Sequence, residues 1–378
     1  MKILHISFWH PNLENPYEAI WVKRHIEALG AFCEQEVWHI EVRPGKKYRY
    51  QKYSESGCHH RILDIPFTQW ILVEIISAFM LWKVIASSKK KNFDLINIHI
   101  AYPLLSFWKH IKGALKRPVV ITEHCSAYHL NFGLPKETKK LDRIKNIFKN
   151  DIGLITVSEA LLNDIRTFSG TAQIKAVVVP NIVDCNVFKP SSHLNNDKII
   201  RFFMVSGWAY PKDPIMAIQA FAKVLKEHKN IILDIGGYGV LTETMKETVI
   251  KLGIAENVNF LGKMSPGEIA EQHSKSSAYL HCSGYETFSV VCAEALCSGV
   301  PVIASAVGGI TEFIGPEDGI LVQKHNENAW ISAINDFIKS QHFDSNKIAA
   351  RAAARFDSKI VGKKYFDTLS GFLDDFKK

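Results

Sequence analysis

Leu280-His281-Cys282-Ser283-Gly284-Tyr285-Glu286-Thr287-Phe288-Ser289-Val290-Val291-Cys292-Ala293-Glu294-Ala295-Leu296-Cys297-Ser298-Gly299, continuing through Val300-Pro301-Val302-Ile303-Ala304 to Gly308-Gly309-Ile310-Thr311-Glu312-Phe313, decides how this chain is read. An apolar strand from Ala278 to Cys282 ends in a loop that holds one carboxylate, Glu286. A short helix follows, with Ser289 as its expected N-cap and Gly299 just past its end. A second carboxylate, Glu294, rides on that helix. A second strand then empties into Gly308-Gly309.

Such a stretch builds a site for a polyol joined to a diphosphate. The backbone N–H groups of Phe288, Ser289 and Val290 lie at a helix N-terminus, where an anion is favoured. Carboxylates on either side accept hydrogen bonds from sugar or ribose hydroxyls. Gly308-Gly309 lets a second backbone approach closely.

With seven residues between Glu286 and Glu294, followed in order by Ala-Leu-x-x-Gly-Val-Pro-Val-Ile-Ala and Gly-Gly-x-x-Glu, the stretch resembles the E-x7-E signature of retaining GT-B glycosyltransferases of the family 4 type. The resemblance implies an α/β fold of two Rossmann-like parallel-sheet domains facing a central cleft. It implies that Glu286 binds donor-sugar hydroxyls and Glu294 the ribose. It also implies retention of configuration, the departing phosphate oxygen taking the acceptor's proton. A retaining glycosidase's nucleophile-and-acid pair is a different arrangement, and Glu286 is not read as a nucleophile.

The rest of the chain fits two domains. Its 378 residues are 47% hydrophobic, enough for two cores. The seven cysteines are odd in number and contain no C-x-x-C pair, which argues against a disulfide framework and a structural zinc site and fits a reducing cytoplasm. Met1-Lys2-Ile3-Leu4-His5-Ile6-Ser7 reads as a first strand, not a signal peptide.

The net charge of +8 lies entirely in residues 1–185, which hold 25 of the 46 Lys+Arg and 17 of the 38 Asp+Glu; the remainder is balanced at 21 of each. A basic first half suits an anionic partner such as a membrane surface or a lipid pyrophosphate. No basic-aromatic or helix-turn-helix pattern points to nucleic acid.

Strand-like runs alternate with helical runs, as in parallel sheets. The expected strands are Ile3–Ser7, Glu36–Val42, Leu95–Ile98, Val119–Thr122 and Leu154–Val157. In the second half they are Phe202–Val205, Ile231–Ile235, Val258–Leu261, Ala278–His281 and Val302–Ala304. The expected domains are 1–184 and 199–355, with a linker at 185–198 and a helical tail at 356–378 that in the resembled fold crosses back to the first domain.

Ligands of such sheets sit beyond the carboxyl ends of the strands, where His, Gly and Glu recur here. From the resemblance, Ser206-Gly207-Trp208-Ala209-Tyr210-Pro211-Lys212 carries a phosphate-binding lysine, Lys212. Gly207 stands where an arginine is usual. Gly237 belongs to the same donor site, although Gly236-Gly237-Tyr238-Gly239 lacks the full dinucleotide fingerprint. Lys263 and Met264 fall where the base is gripped. His124 would contact the donor sugar. His99, Glu123, Gly309 and Ala19, the last standing where the family often has glycine, are acceptor-side candidates.

No Asp-x-Asp or His/Asp/Glu cluster at ligand spacing stands out, so activity without metal or cofactor is expected. The alternatives are a nucleotide-sugar epimerase of the same architecture and a non-catalytic sugar-nucleotide-binding subunit.

Two segments bear on a membrane. Trp70–Ala86 is the most apolar run, short for a span and interrupted by Glu74 and Lys83. It reads as a buried crossover helix with a solvated basic end, Lys89-Lys90-Lys91, ahead of a membrane-contacting face. Lys136–Lys149 carries six Lys/Arg against two acids, with Leu141, Ile144, Ile147 and Phe148 at helical spacing. It can lie on an anionic bilayer or be an ordinary surface helix.

Overall fold

Short apolar runs covered on both faces become strands, and the amphipathic segments between them become the covering helices. A computed structural model of the chain describes residues 1–66, 70–88, 92–111, 117–135, 138–149, 152–191, 199–340 and 343–378. Lys89-Lys90-Lys91 and residues 192–198, half of the expected linker, lie outside the described residues, as do residues 136–137 of the second basic stretch.

The chain divides into two units, one of Met1–Asn181 with Lys359–Lys378, the other Ile182–Ser358. The first holds β1 (Lys2–Ser7), α1 (Ile20–Leu29), β2 (Glu34–Pro44), β3 (Arg49–Glu55), β4 (Cys58–Ile65) and α2 (Trp70–Ser88). Then come β5 (Leu95–His99), α3 (Trp108–Ile111), β6 (Val119–Glu123), α4 (Lys139–Phe148), β7 (Gly153–Thr156), α5 (Glu159–Ser169) and β8 (Ala176–Val178). Its sheet runs β3-β4-β2-β1-β5-β6-β7-β8, parallel except for β3.

The second unit holds β9 (Ile200–Gly207), α6 (Pro214–Glu227), β10 (Ile231–Tyr238), α7 (Thr242–Lys251), β11 (Val258–Gly262), α8 (Pro266–Ser274) and β12 (Ala278–His281). α9 (Val290–Cys297), β13 (Val302–Ser305), β14 (Gly319–Val322), α10 (Glu327–Ser340) and α11 (Ser345–Phe356) follow. Its parallel sheet runs β11-β10-β9-β12-β13-β14. The last helix, α12 (Ser358–Lys377), buries Tyr365 and Leu369 in the first unit. There the Tyr365 hydroxyl bonds Thr122 Oγ1 at 2.7 Å and also Asn97.

Four strands escape the sequence reading. β3 and β4 form a hairpin around Ser56-Gly57, both at positive φ (47° and 76°), the backbone of a tight primed turn. Its outer strand is polar and exposed, so no apolar run marks it. β8 and β14 are short edge strands. Phe188, in the expected linker, is buried 6.3 Å from the His273 ring, and Val183, ahead of that linker, bridges to Asp357; both pack within the second unit.

The basic stretches resolve differently from the sequence reading. α4 is capped by Thr138 and turns Leu141, Ile144, Ile147 and Phe148 inward, so its apolar face is already used. α2 is not fully buried: Ile75, Phe79 and Trp82, at helical spacing on one side, are each about half exposed, as is Trp70 at the helix start. By length and composition α2 could cross a membrane. Yet it packs on β2, and its Glu74 is fully buried, held by Arg143 Nη2 at 2.7 Å and the Tyr102 hydroxyl at 3.1 Å. A buried carboxylate needs such partners.

Candidate functional site

In the second sheet, successive connections run outward from β9 through β10 to β11, then return to β12 on the other side of β9. The loops leaving β9 and β12 therefore part at a topological switch point, where open α/β sheets leave a crevice. Lys212 follows β9, and Glu286 follows β12.

Backbone bonds zip the two loops together. Asp213 N–H donates to the Cys282 carbonyl at 3.0 Å, and Gly284 N–H to the Pro211 carbonyl at 2.8 Å. Asp213 also caps α6 through Met216 N–H at 3.2 Å, with Pro214 at the first turn. Lys212 is thus fixed at the entry of a capped helix. Its ammonium pairs with Glu286 Oε1, which also accepts from His281 Nε2 at 2.6 Å.

Glu286 is 8% exposed. Burial pushes its carboxyl upward, but Lys212 and then His281 outweigh burial and bring it down to about 2. It is an anion at neutral pH, suited to accept hydroxyl bonds and to face a developing positive charge, not to donate a proton. His281 was quoted in the sequence reading only as a strand residue. Its strand-end position, five residues before Glu286, was the available signal.

Ser289 occupies the position before α9 at φ 72° and ψ 83°, and its side chain does not cap the helix. This corrects the expected N-cap bond. The hydroxyl instead donates to Cys292 Sγ at 3.2 Å and lies 3.3 Å from His281 Nε2. The left-handed turn still presents amides: those of Phe288, Ser289 and Val290 donate no hydrogen bond among the described residues. Consecutive unpaired amides with one residue left-handed make an anion-binding concavity. Glu294, on α9, is 5% exposed, not a solvated helix residue.

The glycines divide. A Cβ on Gly308 would sit 1.9 Å from the Glu286 carbonyl, and Gly309 N–H donates to that same carbonyl at 3.0 Å. Gly309 therefore braces the Glu286 loop through its amide. A Cβ on Gly237 would sit 1.9 Å from the Ser206 carbonyl, so that glycine serves strand packing. Gly207 is open, with nothing within 4 Å of a Cβ. Lys263 is exposed, its ammonium 5.5 Å from the Tyr238 ring centroid, and Met264 Sδ packs against Gly236.

Two family models cover the chain in succession: "Glycosyltransferase Family 4" over residues 23–187 and "Glycosyl transferases group 1" over residues 188–355. The solved structure of Anabaena HepE with UDP superposes with a TM-score of 0.75 at 18% identity, over 98% of this chain and all of that one (100%). The chain belongs to the GT-B glycosyltransferases of the family 4 type. An uncharacterized glycosyltransferase of Methanocaldococcus jannaschii is 30% identical over 192 residues, 47% of this chain and 49% of that protein. The alpha-monoglucosyldiacylglycerol synthase of Streptococcus pneumoniae is 27% identical over 59% of this chain and 54% of its own. The match thus spans about half the length of these curated relatives.

In the first unit of this GT-B chain, β1 and β5 flank the corresponding switch point. His99 ends β5 and is fully buried, its Nε2 3.1 Å from His5 Nδ1. His124 is buried 5.3 Å from the His25 ring, and burial drives its imidazole well below the ordinary histidine range. Ala19 adopts φ 51° before α1, the backbone that a glycine there would take.

Glu123 is fully buried. One of its oxygens accepts from His124 and Cys125 N–H at 2.8 and 2.9 Å; the other accepts from Ala101 N–H at 3.0 Å and the Tyr128 hydroxyl at 2.7 Å. Four donors tie this carboxylate to its own loops, so it braces them.

Among the described residues, His10, Cys58 and His60 bring ligand atoms together, as do Asp213, Cys282 and His325, groupings spread too widely along the chain to show as ligand spacing. His325 already forms an ordinary exposed pair with Asp213 at 3.1 Å.

Proposed function

We propose that the protein transfers a hexose-type sugar, with retention, from a nucleotide-diphosphate sugar to a glycan or lipid-linked oligosaccharide during cell-surface polysaccharide synthesis. The observation that carries this reading is the Lys212–Glu286–His281 cluster beside the three unpaired amides of Phe288–Val290. An entering diphosphate competes with Glu286 for the Lys212 ammonium and takes the amides. Charge that grows on the leaving phosphate meets positions already oriented. Glu286, released from Lys212 but still held by His281, accepts sugar hydroxyls and faces the oxocarbenium-like carbon. Glu294 takes the ribose.

UDP is favoured over GDP because HepE, which shares the fold, was solved with UDP. Lys212 and the amides supply the charge that a metal would otherwise carry, so neither metal nor cofactor enters the chemistry. Calorimetry with UDP and GDP, followed by assay of Glu286→Gln and Glu294→Gln, tests the assignment. Each variant should bind the diphosphate and lose transfer by at least about a hundredfold. Full activity in both removes it. Lys212→Met should weaken UDP binding, and added Mg²⁺ or Mn²⁺ should not restore it.

We place the reaction at the inner face of the cytoplasmic membrane. Supporting this are the exposed row Ile75, Phe79 and Trp82 on α2 and the nearby Lys83, whose ammonium lies 4.9 Å from the Phe79 ring centroid. An apolar row beside a cation suits an anionic lipid surface. Sedimentation with phosphatidylglycerol vesicles should capture the protein, and Phe79→Asp with Trp82→Glu should release it. Equal capture of both proteins would remove the membrane site.

A further inference from the structure

Cys58 and His60 stand two residues apart on β4, so both side chains leave the same face of the sheet. β2 runs beside them in register, pairing His39 with His60. From the loop after β1, His10 reaches the same place, its ring centroid 5.6 Å from that of His60. All three residues are buried. One ligand atom from each, the thiol sulfur and a nitrogen of each ring, lies within 4.8 Å of the other two. A bound metal would draw this triangle in by about an ångström, given metal–nitrogen and metal–sulfur bonds of roughly 2.0–2.3 Å.

The surrounding hydrogen bonds orient the rings. His10 Nδ1 is 3.0 Å from the Pro11 carbonyl, which can only accept, so the proton sits on Nδ1 and the Nε2 lone pair remains. His60 Nδ1 lies 3.0 Å from His39 Nδ1, so a neighbouring imidazole holds one of its ring nitrogens. Hydrogen bonds of this kind, from a backbone carbonyl and from a second imidazole, orient metal-binding rings. The three side chains line a cavity of about 220 Å³, so a fourth position can be filled by water or by an oxygen ligand.

We propose that His10, Cys58 and His60 form a binding site for a divalent transition metal, with zinc as the match to a mixed imidazole and thiolate donor set. The ion clasps the loop between β1 and α1 to the β3–β4 hairpin. That loop ends at Ala19, so the clasp fixes a segment at the first unit's switch point. Binding releases the Cys58 proton to solvent, forms one metal–sulfur and two metal–nitrogen bonds, and involves no change of oxidation state.

The test titrates the full chain, dialysed against chelator, with cobalt(II) chloride and then zinc(II). One equivalent of cobalt should give the visible absorption of a tetrahedral ion and a thiolate-to-cobalt band in the near ultraviolet, and one equivalent of zinc should displace it. Cys58→Ser, an isosteric change whose folding is checked by circular dichroism, should lose the near-ultraviolet band and bind zinc at least about tenfold more weakly. Cys282→Ser, in the other cluster, should keep the band. Zinc should also slow proteolysis within residues 8–19. Absence of saturable binding by the folded chain overturns the site, as does a band that survives Cys58→Ser or disappears in Cys282→Ser.

Discussion

Glu286 is a buried anion because two cationic or hydrogen-donating groups reach it at once. Its depressed pKa contributes stability that is fully present above about pH 4.5 and lost as pH falls through about 2. The interval corresponds to about 3 kcal/mol at 1.36 kcal/mol per unit. Denaturant titrations of the wild type and Glu286→Gln should therefore differ most at neutral pH and converge as pH falls towards 2. A constant gap across that range would assign the stability elsewhere. At Gly207, open space and an unstrained backbone leave room for the arginine usual in the family. Gly207→Arg should fold normally and tighten UDP binding about tenfold by calorimetry, the worth of one charge-assisted phosphate contact.

At the scale of elements, α9 and the glycine loop after β13 act as one support. The loop's Gly308 comes so close to the Glu286 carbonyl that any Cβ collides with backbone, and its φ of 50° adds strain for any other residue. Gly308→Ala should cost about 3 kcal/mol in denaturant unfolding and weaken sugar-nucleotide binding together with stability. A change in binding alone would mean that the glycine touches ligand. The Gly-Gly pair was visible in the sequence, and so was the helix start at Ser289. The direction of Ser289's hydroxyl was not, because it depends on His281 and Cys292 from neighbouring elements. Likewise Glu123 looked like a site carboxylate at a strand end. Only the loop folding back over it shows that four donors occupy it.

For the molecule as a whole, the terminal helix is part of the first unit's core. Tyr365 bonds strands β5 and β6, and a Cβ on Gly153 would strike the Phe372 ring, so strand and helix are in contact. Tyr365→Phe should lower stability by about 1–2 kcal/mol, since Thr122 and Asn97 lose a buried partner. Removing residues 359–378 should leave a first unit that aggregates on expression, whereas an isolated 1–181 fragment that is soluble and folded would show the helix to be dispensable.

The alternation of apolar strands and amphipathic helices, the strand-end positions of Lys212 and Glu286, and the E-x7-E run followed by Gly-Gly are properties of local order, and the sequence by itself determined them. Pairing of elements distant in the chain was left to the tertiary structure. It joined Lys212 to Glu286 across 74 positions, buried Glu74 against Arg143, turned α4's apolar face inward while leaving α2's exposed, and gathered His10 with Cys58 and His60. The physical reason is that periodicity tells which face of an element is apolar, but what meets a side chain is set by strand order, and strand order follows from how the whole sheet closes its core.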